Sequence, residues 1–288
     1  MDDETVGIAL VLVSAIGFGT LGIFGVLAAR EGISIPSVLA LRFSLATVLV
    51  WAVLWYRGRF RFLRGRTLGI AFALGAFGYA TQSSLYFLGL EFMTAGLVAI
   101  VLYTYPAIVV CFLAVFHPDR VTTILLVALG LSIGGVALIT GADPAGADPR
   151  GVAVVLGSAL AYSGYIMVSQ RMLVTVDAEI LTAFVLPAAA LSFVVIGAGT
   201  ESLAVPATVT GWSVVLAIAI VATVIPVLTF FAGITKIGAG RASIISTAEP
   251  GVTVALGMLV LGEPVTLVTV VGGTLVVVGV ILIHREGT

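Results

Sequence analysis

Two charged side chains, Glu249 and Arg42, lie well inside long apolar stretches of the sequence. Placing a charge at such a depth in hydrocarbon costs at least ~2.5 to 3.5 kcal/mol, so each charge needs a compensating partner or a function. One hypothesis is that Glu249 binds the cationic part of a solute or exchanges protons with it, while Arg42 attracts a carboxylate. The alternative is that both charges belong to ordinary helix packing. The residues alone leave both interpretations open.

Polar and aromatic side chains recur at helical spacing in the same apolar surroundings. Ser246, Glu249 and Thr253 fall at i, i+3 and i+7, so they share one face of a helix. Two further stripes combine tyrosines with hydroxyls and an amide: Ser158, Tyr162, Tyr165 and Ser169, and Tyr79, Gln82, Ser83 and Tyr86. A polar stripe on an apolar helix must face protein or water. It therefore either packs against other helices or lines a cavity for an organic solute, with the tyrosines as flat contact area.

The elements that must hold these side chains are membrane-spanning helices. Sixty per cent of the 288 residues are hydrophobic and 9% are charged, and the mean hydropathy of +1.26 is typical of a membrane protein. A helix needs about 20 apolar residues to cross the hydrocarbon. Such runs cover approximately residues 6–29, 37–56, 67–88, 95–116, 121–140, 151–170, 179–198, 210–232, 242–261 and 265–284. The sequence thus predicts an all-α integral membrane protein with ten transmembrane helices, the first to tenth spans.

The chain consists of two copies of one unit. An offset of 144 residues, half the chain length, aligns the copies without a gap and places Pro106 on Pro250. The predicted repeats are residues 1–144 and 145–288, which together form one membrane domain. Because each repeat has five spans, an odd number, the second copy enters the membrane from the opposite side. Two inverted five-helix repeats are typical of secondary transporters, whose substrate site lies near mid-membrane between the copies.

The repeat organisation predicts one site for the residues that could carry chemistry. Tyr105 occupies the position in the first repeat that Glu249 occupies in the second. We predict a cavity built from the first, third, sixth and ninth spans. The predicted substrate-binding residues are Arg42, Tyr79, Gln82, Tyr86, Tyr105, Ser158, Tyr162, Tyr165, Ser246 and Glu249.

The basic side chains predict the orientation. If the amino terminus is cytoplasmic, Arg30 and Arg150 lie outside and most other basic residues lie inside. The inner group is Arg57, Arg59, Arg61, Arg64, Arg66, Arg120, Arg171, Lys236, Arg241 and Arg285. We therefore predict a multi-pass protein of the cytoplasmic membrane with both termini inside. The basic and aromatic residues of 57–66 are interpreted as a positive-inside loop at the headgroup level, and not as a nucleic-acid site.

Several other functions are disfavoured. Cys111 is the single cysteine, and the two histidines, His117 and His284, lie at helix ends, so neither a protease dyad nor a metal site is expected within the membrane. Lys236 does not follow a glycine-rich phosphate loop, which argues against ATP hydrolysis. The chain is accordingly predicted not to be an enzyme and to need no cofactor. Its expected partners are a small organic solute, the lipid bilayer and a coupling proton or ion, and its oligomeric state stays open.

The arrangement resembles the drug/metabolite transporter superfamily, and within it the EamA family. The resemblance covers nearly the whole chain and rests on two stretches, Leu88-Gly89-Leu90 through Pro106 and Ala248-Glu249-Pro250 through Leu261-Gly262-Glu263-Pro264. In the first half, His117-Pro118-Asp119 replaces the family's usual glycine-glutamate. The resemblance implies a secondary transporter of small organic metabolites such as amino acids, often working outward. A broad multidrug efflux protein and a non-transporting receptor or structural protein are the alternatives.

Overall fold

The computed structural model describes residues 2–116, 122–142, 147–238, 242 and 245–286. Over these residues the regular structure is entirely helical. The helices are α1 (Asp3–Gly19), α2 (Leu21–Arg30), α3 (Ile35–Tyr56), α4 (Gly65–Ala73), α5 (Ala80–Gly89), α6 (Ala95–Leu102), α7 (Tyr105–Phe116), α8 (Thr123–Ala142), α9 (Pro149–Met172), α10 (Ala178–Gly199), α11 (Val209–Ala219), α12 (Ile225–Ile237), α13 (Glu249–Leu256) and α14 (Leu267–Glu286). Three π-helical segments follow α4, α11 and α13 directly: Leu74–Tyr79, Ile220–Val224 and Gly257–Leu261.

The all-helical part of the fold prediction is confirmed. Five helical stretches are long and apolar enough to cross a membrane: Asp3–Arg30, Ile35–Tyr56, Pro149–Met172, Ala178–Gly199 and Val209–Ile237. The total of ten crossings stays a prediction. Some features named from the sequence fall outside the described residues, namely the hairpin His117-Pro118-Asp119, the basic residues Arg120 and Arg241, and the repeat boundary at 144.

Short polar side chains begin several of the helices. The hydroxyl oxygens of Ser34, Thr94 and Thr208 each accept a hydrogen bond from the backbone N–H three residues later, at 3.3, 3.3 and 2.8 Å. The first N–H groups of a helix have no partner within it, and a capping oxygen satisfies one of them.

The helices are interrupted at matching places in the two halves. The π-helical segment Leu74–Tyr79 corresponds closely, at the offset of 144, to Ile220–Val224. The fourth span breaks at Tyr103–Thr104 and the ninth at Thr247–Ala248, which is the same pair of positions. Pro106 and Pro250 each stand at the second residue of the helix that restarts after the break. A proline has no N–H to donate to the preceding turn, so it favours a new helix start at that point.

The helix packing follows a pseudo-twofold relation between the halves. α1 packs on α12. At the offset of 144, α9 corresponds to α1 and α5 to α12, and α9 also packs on α5. Three spans pack on their own counterparts: α3 on α10, α6 on α13, and α8 on α14. Fully buried large side chains, among them Leu39 and Phe43 of α3 and Phe193 of α10, fill the centre.

Polar contacts between loops show which loops lie at the same end of the helix bundle. At one end Lys236 pairs with Asp3, and Arg59 pairs with Glu179 at 3.1 Å. At the other end the hydroxyl of Thr208 donates to Glu31. The first-end contacts join segments that the arginine distribution predicts to lie inside, and the second joins segments predicted to lie outside.

The two repeats begin at different ends of the bundle. Asp3, at the start of α1, lies at the first end with Lys236. Gly151, at the start of α9, lies against Phe92 and Met93 in the loop before α6. That loop follows α5, whose last turn packs on α2 near the second end, where Phe87 lies against Gly25.

Candidate functional site

A continuous row of six aromatic rings crosses the centre of the molecule. Its members, in spatial order, are Phe43, Tyr79, Tyr165, Tyr162, Tyr105 and Tyr103, and neighbouring ring centroids lie 5.4, 5.4, 6.0, 4.8 and 5.9 Å apart. These separations are typical of aromatic pairs in contact. We call this set the aromatic row.

Both halves of the chain build the aromatic row. The first half supplies Phe43 from α3, Tyr79 from the π-helical segment, and the pair Tyr103 and Tyr105 from the break in the fourth span. The second half supplies the other two rings, both from α9. The four tyrosines that the sequence singled out here, Tyr79, Tyr105, Tyr162 and Tyr165, are half-buried, so their rings pack together while part of each surface stays accessible.

One end of the aromatic row reaches Glu249. The Tyr103 hydroxyl lies 2.9 Å from the Glu249 carboxylate and 2.7 Å from the backbone carbonyl of Ser246. The two helix breaks cause this contact, since Tyr103 stands in one break and Glu249 directly follows the other. The Ser246 hydroxyl donates to the backbone carbonyl of Ala242, four residues earlier, at 2.9 Å. Ser246 therefore joins the site through its backbone carbonyl.

The other end of the aromatic row reaches Arg42. Its side chain is 1% exposed, and the guanidinium carbon lies 4.7 Å from the centroid of the Phe43 ring. The Arg42 Nε–H donates to the Thr223 hydroxyl at 2.9 Å. Thr223 belongs to the π-helical segment of the eighth span, and its own hydroxyl donates to the Ile218 carbonyl at 2.9 Å.

The two deep charges do not form an ion pair with each other. In the part of the chain that the structure describes, the ion pairs are Arg59 with Glu179 and Lys236 with Asp3, both near the helix ends. Tyr86, which is 4% exposed, lies within electrostatic reach of both Arg42 and Glu249. The aromatic row, whose ends reach Glu249 and Arg42, separates the two charges.

Two predicted residues contribute to helix packing. The Ser158 hydroxyl, which is fully buried, donates to the backbone carbonyl of Gln82 at 2.8 Å and so joins α9 to α5. The Gln82 side-chain oxygen accepts from the Ser83 hydroxyl at 3.1 Å. For Ser158 these contacts favour the packing interpretation over a place on a cavity wall.

Three residues of this arrangement were not predicted: Tyr103, Phe43 and Thr223. The offset of 144 could have indicated two of them. Tyr103 aligns with Thr247 at the second helix break, and Thr223 aligns with the predicted site residue Tyr79. Phe43 carries no such signal, since it is one of many aromatic residues in apolar helices.

An apolar cleft of about 320 Å³ lies between α6, α13 and α14. None of the predicted site residues lines it. Among the residues that the structure describes, no three His, Cys, Asp or Glu side chains come together to hold a metal ion.

Comparison with known proteins finds transporters. A model of the EamA-like transporter family matches residues 5–141 and again residues 149–285. A protein of Archaeoglobus fulgidus named "Uncharacterized transporter" is 29% identical over 252 residues, covering 87% of this chain and 88% of the relative. "Uncharacterized transporter YcbK" of Bacillus subtilis is 29% identical over 286 residues, covering 94% and 90%. A solved structure titled "Crystal structure of protein" superposes with a TM-score of 0.66 at 21% identity, over 97% of this chain and 96% of that one.

Proposed function

The chain belongs to the EamA-like transporter family, and we propose that it is a secondary transporter that exports small organic metabolites, such as amino acids, by alternating access. The family makes it a membrane transporter and not an enzyme. The solute class, the outward direction and the alternating-access mechanism are our proposal.

The observation that carries the proposal is the aromatic row with its two charged ends. The row contains rings from both halves of the chain, and in inverted-repeat transporters the substrate site lies between the halves. Tyrosine offers flat apolar area together with a hydroxyl, a combination that suits an organic solute with polar groups. Arg42 and Glu249 at opposite ends would orient such a solute.

The helix arrangement supports alternating access. The two repeats start at different ends of the bundle, as inverted repeats require. The fourth and ninth spans are interrupted at matching positions, and interrupted helices at the midplane are a common feature of substrate sites in secondary transporters. We propose ten spans, a location in the cytoplasmic membrane and cytoplasmic termini, in agreement with the distribution of basic residues.

The experiment is solute transport by the purified protein in lipid vesicles. Saturable, counterflow-stimulated uptake of an amino acid or related metabolite is the expected result, since a carrier has a limited number of sites. Uptake competed by many unrelated organic cations would favour a multidrug efflux protein instead. Ligand binding without transport would favour a receptor, and a linear, non-saturating flux would overturn the carrier mechanism.

A further inference from the structure

Arg42 is a permanent positive charge surrounded by neutral groups. Its contacts are the Thr223 hydroxyl and the Phe43 ring. The Tyr79 side chain lies close enough to hydrogen-bond with it, and Tyr86 lies close enough to interact with it electrostatically. No carboxylate in the described ranges forms an ion pair with it. Since a guanidinium does not lose its proton in proteins, Arg42 is a charge without a counter-charge from these neighbours, at 1% exposure.

Such a charge is costly to keep. Hydroxyls and an aromatic face provide hydrogen bonds and a weak attraction, but they bring no negative charge to balance the cation. Removing a buried cation's counter-charge typically destabilises a protein strongly, so arginines inside membrane domains are paired or functional. A ligand is therefore expected to supply the negative charge.

The geometry fits one kind of anion. The Arg42 Nε–H is occupied by Thr223, which is itself fixed by its hydrogen bond to Ile218 in the π-helical segment. This bond holds the guanidinium in one orientation, and the terminal nitrogens of a guanidinium form the paired hydrogen bonds that a carboxylate accepts. Tyrosine hydroxyls beside it would donate to the same group, and the single positive charge balances a single negative one.

We propose that Arg42 binds the free carboxylate of the transported solute, so that the substrates are small organic acids or amino acids and not their neutral derivatives. The inference rests on the proposed transport function, whose substrate class it narrows. Thr223 acts as a positioning residue, because it contacts Arg42 and not the solute.

The first test compares carboxylates with their amides. The melting temperature of the purified protein would be measured with acetate, benzoate, leucine and phenylalanine, with the amide of each, and with phosphate, at constant ionic strength. At least one carboxylate is expected to stabilise the protein, whereas its amide and phosphate are not. Equal stabilisation by acids and amides, stabilisation by phosphate alone, or no stabilisation by any carboxylate would overturn the inference.

The second test uses Arg42→Gln with Arg61→Gln as its matched control, since Arg61 is exposed. Arg42→Gln is expected to weaken carboxylate binding about tenfold to a hundredfold, the loss typical of charge-assisted hydrogen bonds. Its melting temperature without ligand should not fall, because the unbalanced charge is gone. A lower melting temperature with unchanged carboxylate binding would make Arg42 structural.

Thr223→Val serves as a second variant if Arg42→Gln does not fold. It retains the charge and removes the acceptor that orients it, so carboxylate binding should weaken while the requirement for a free carboxylate remains. Binding at the parent strength would contradict the positioning role. Saturable uptake of amides and acids alike would support the transport function and contradict the carboxylate site. Carboxylate binding without any transport would support the carboxylate site and contradict the transport function.

Discussion

At the scale of single residues, Tyr103 has one hydroxyl proton and two acceptors within hydrogen-bonding distance, the Ser246 carbonyl and Glu249. A tyrosine hydroxyl donates one hydrogen bond at full strength and also accepts. Both contacts are full hydrogen bonds when Glu249 carries a proton and donates to Tyr103, while Tyr103 donates to Ser246. Loss of that proton would leave the two oxygens competing for one donor. Proton exchange at Glu249 would therefore change the contact between the fourth and ninth spans.

Glu249→Gln tests this proton exchange. Glutamine retains the shape and donates to Tyr103 permanently, so the variant should fold normally but lose transport or its dependence on pH between about pH 5 and 8. Glu91→Gln, at an exposed position, should behave like the parent. If the Glu249→Gln protein transports at the parent rate across this range, Glu249 is structural and carries no coupling proton.

Tyr103→Phe tests the same contact from the other side. Removing the hydroxyl leaves the Ser246 carbonyl and the Glu249 side chain without this partner, which should cost about 1–3 kcal/mol of unfolding free energy. Denaturation in detergent measures the loss. Tyr105→Phe is the matched control, since Tyr105 contributes its ring to the aromatic row. Equal stability of the two variants would argue against the Tyr103 hydrogen bonds.

Tyr162→Ala tests the aromatic row itself. The ring lies in the row between Tyr105 and Tyr165. We expect at least a few-fold loss of transport, because an aromatic contact with the solute would contribute about 0.5–1.5 kcal/mol. The melting temperature should change little if the ring faces the solute. Tyr56→Ala, at a side chain that is 95% exposed, controls for the loss of a tyrosine. A large loss of stability with normal transport would make Tyr162 a packing residue.

At the scale of elements, the acidic hairpin of the second half holds the first half in place. The Glu263 carboxylate accepts hydrogen bonds from the backbone N–H groups of Ala95, at 2.7 Å, and Gly96, at 3.3 Å. It thus caps α6 from the other repeat. Gly262 makes this reach feasible, because its φ of 70° turns the chain at the end of the π-helical segment, a conformation that glycine adopts readily.

Glu263→Ala should therefore destabilise the protein by about 1–2 kcal/mol, the range for loss of a helix cap. Glu263→Gln should retain most of the hydrogen bonding and lose less, since only the attraction of the negative charge to the helix start is removed. Thermal and denaturant unfolding in detergent give the comparison, with Glu91→Ala as the control. Equal effects of the alanine and glutamine variants would show that charge, and not capping, matters here.

The same elements show what the sequence could and could not predict. The apolar runs and the offset of 144 can be read directly from the sequence, so the helices and the correspondence of the two halves were accessible. The breaks in the fourth and ninth spans were not predicted, because both stretches read as unbroken apolar runs, although Pro106 and Pro250 stand directly after the breaks. The π-helical segments were not, because neighbouring helices decide where a turn widens. The aromatic row was predicted only in part: tyrosines on one helix face are visible as a pattern, but the contact of Tyr103 with Glu249 joins residues 146 positions apart.

At the scale of the whole molecule, contacts between loops determine which loops face the same side of the membrane. The ion pair of Arg59 with Glu179 joins the loop after α3 to the start of α10. The segments 57–64 and 173–177 must therefore face the same side of the membrane. The loop after α10 must face the other side, because the Ser34 hydroxyl donates to the carbonyl of Ser202 at 2.7 Å. The distribution of arginines then predicts which side is cytoplasmic.

Cysteine labelling tests both statements in intact cells. With Cys111 replaced, single cysteines would be introduced at the exposed positions Arg61, Thr175 and Val205 and treated with a membrane-impermeant thiol reagent. We expect the Val205→Cys protein alone to be labelled from outside, and the other two only after the cells are opened. Labelling of Arg61→Cys and Thr175→Cys from outside, with Val205→Cys protected, would reverse the orientation but retain the fold. Labelling of Arg61→Cys and Thr175→Cys from opposite sides would contradict the helix arrangement itself, because their segments meet at one end of the bundle.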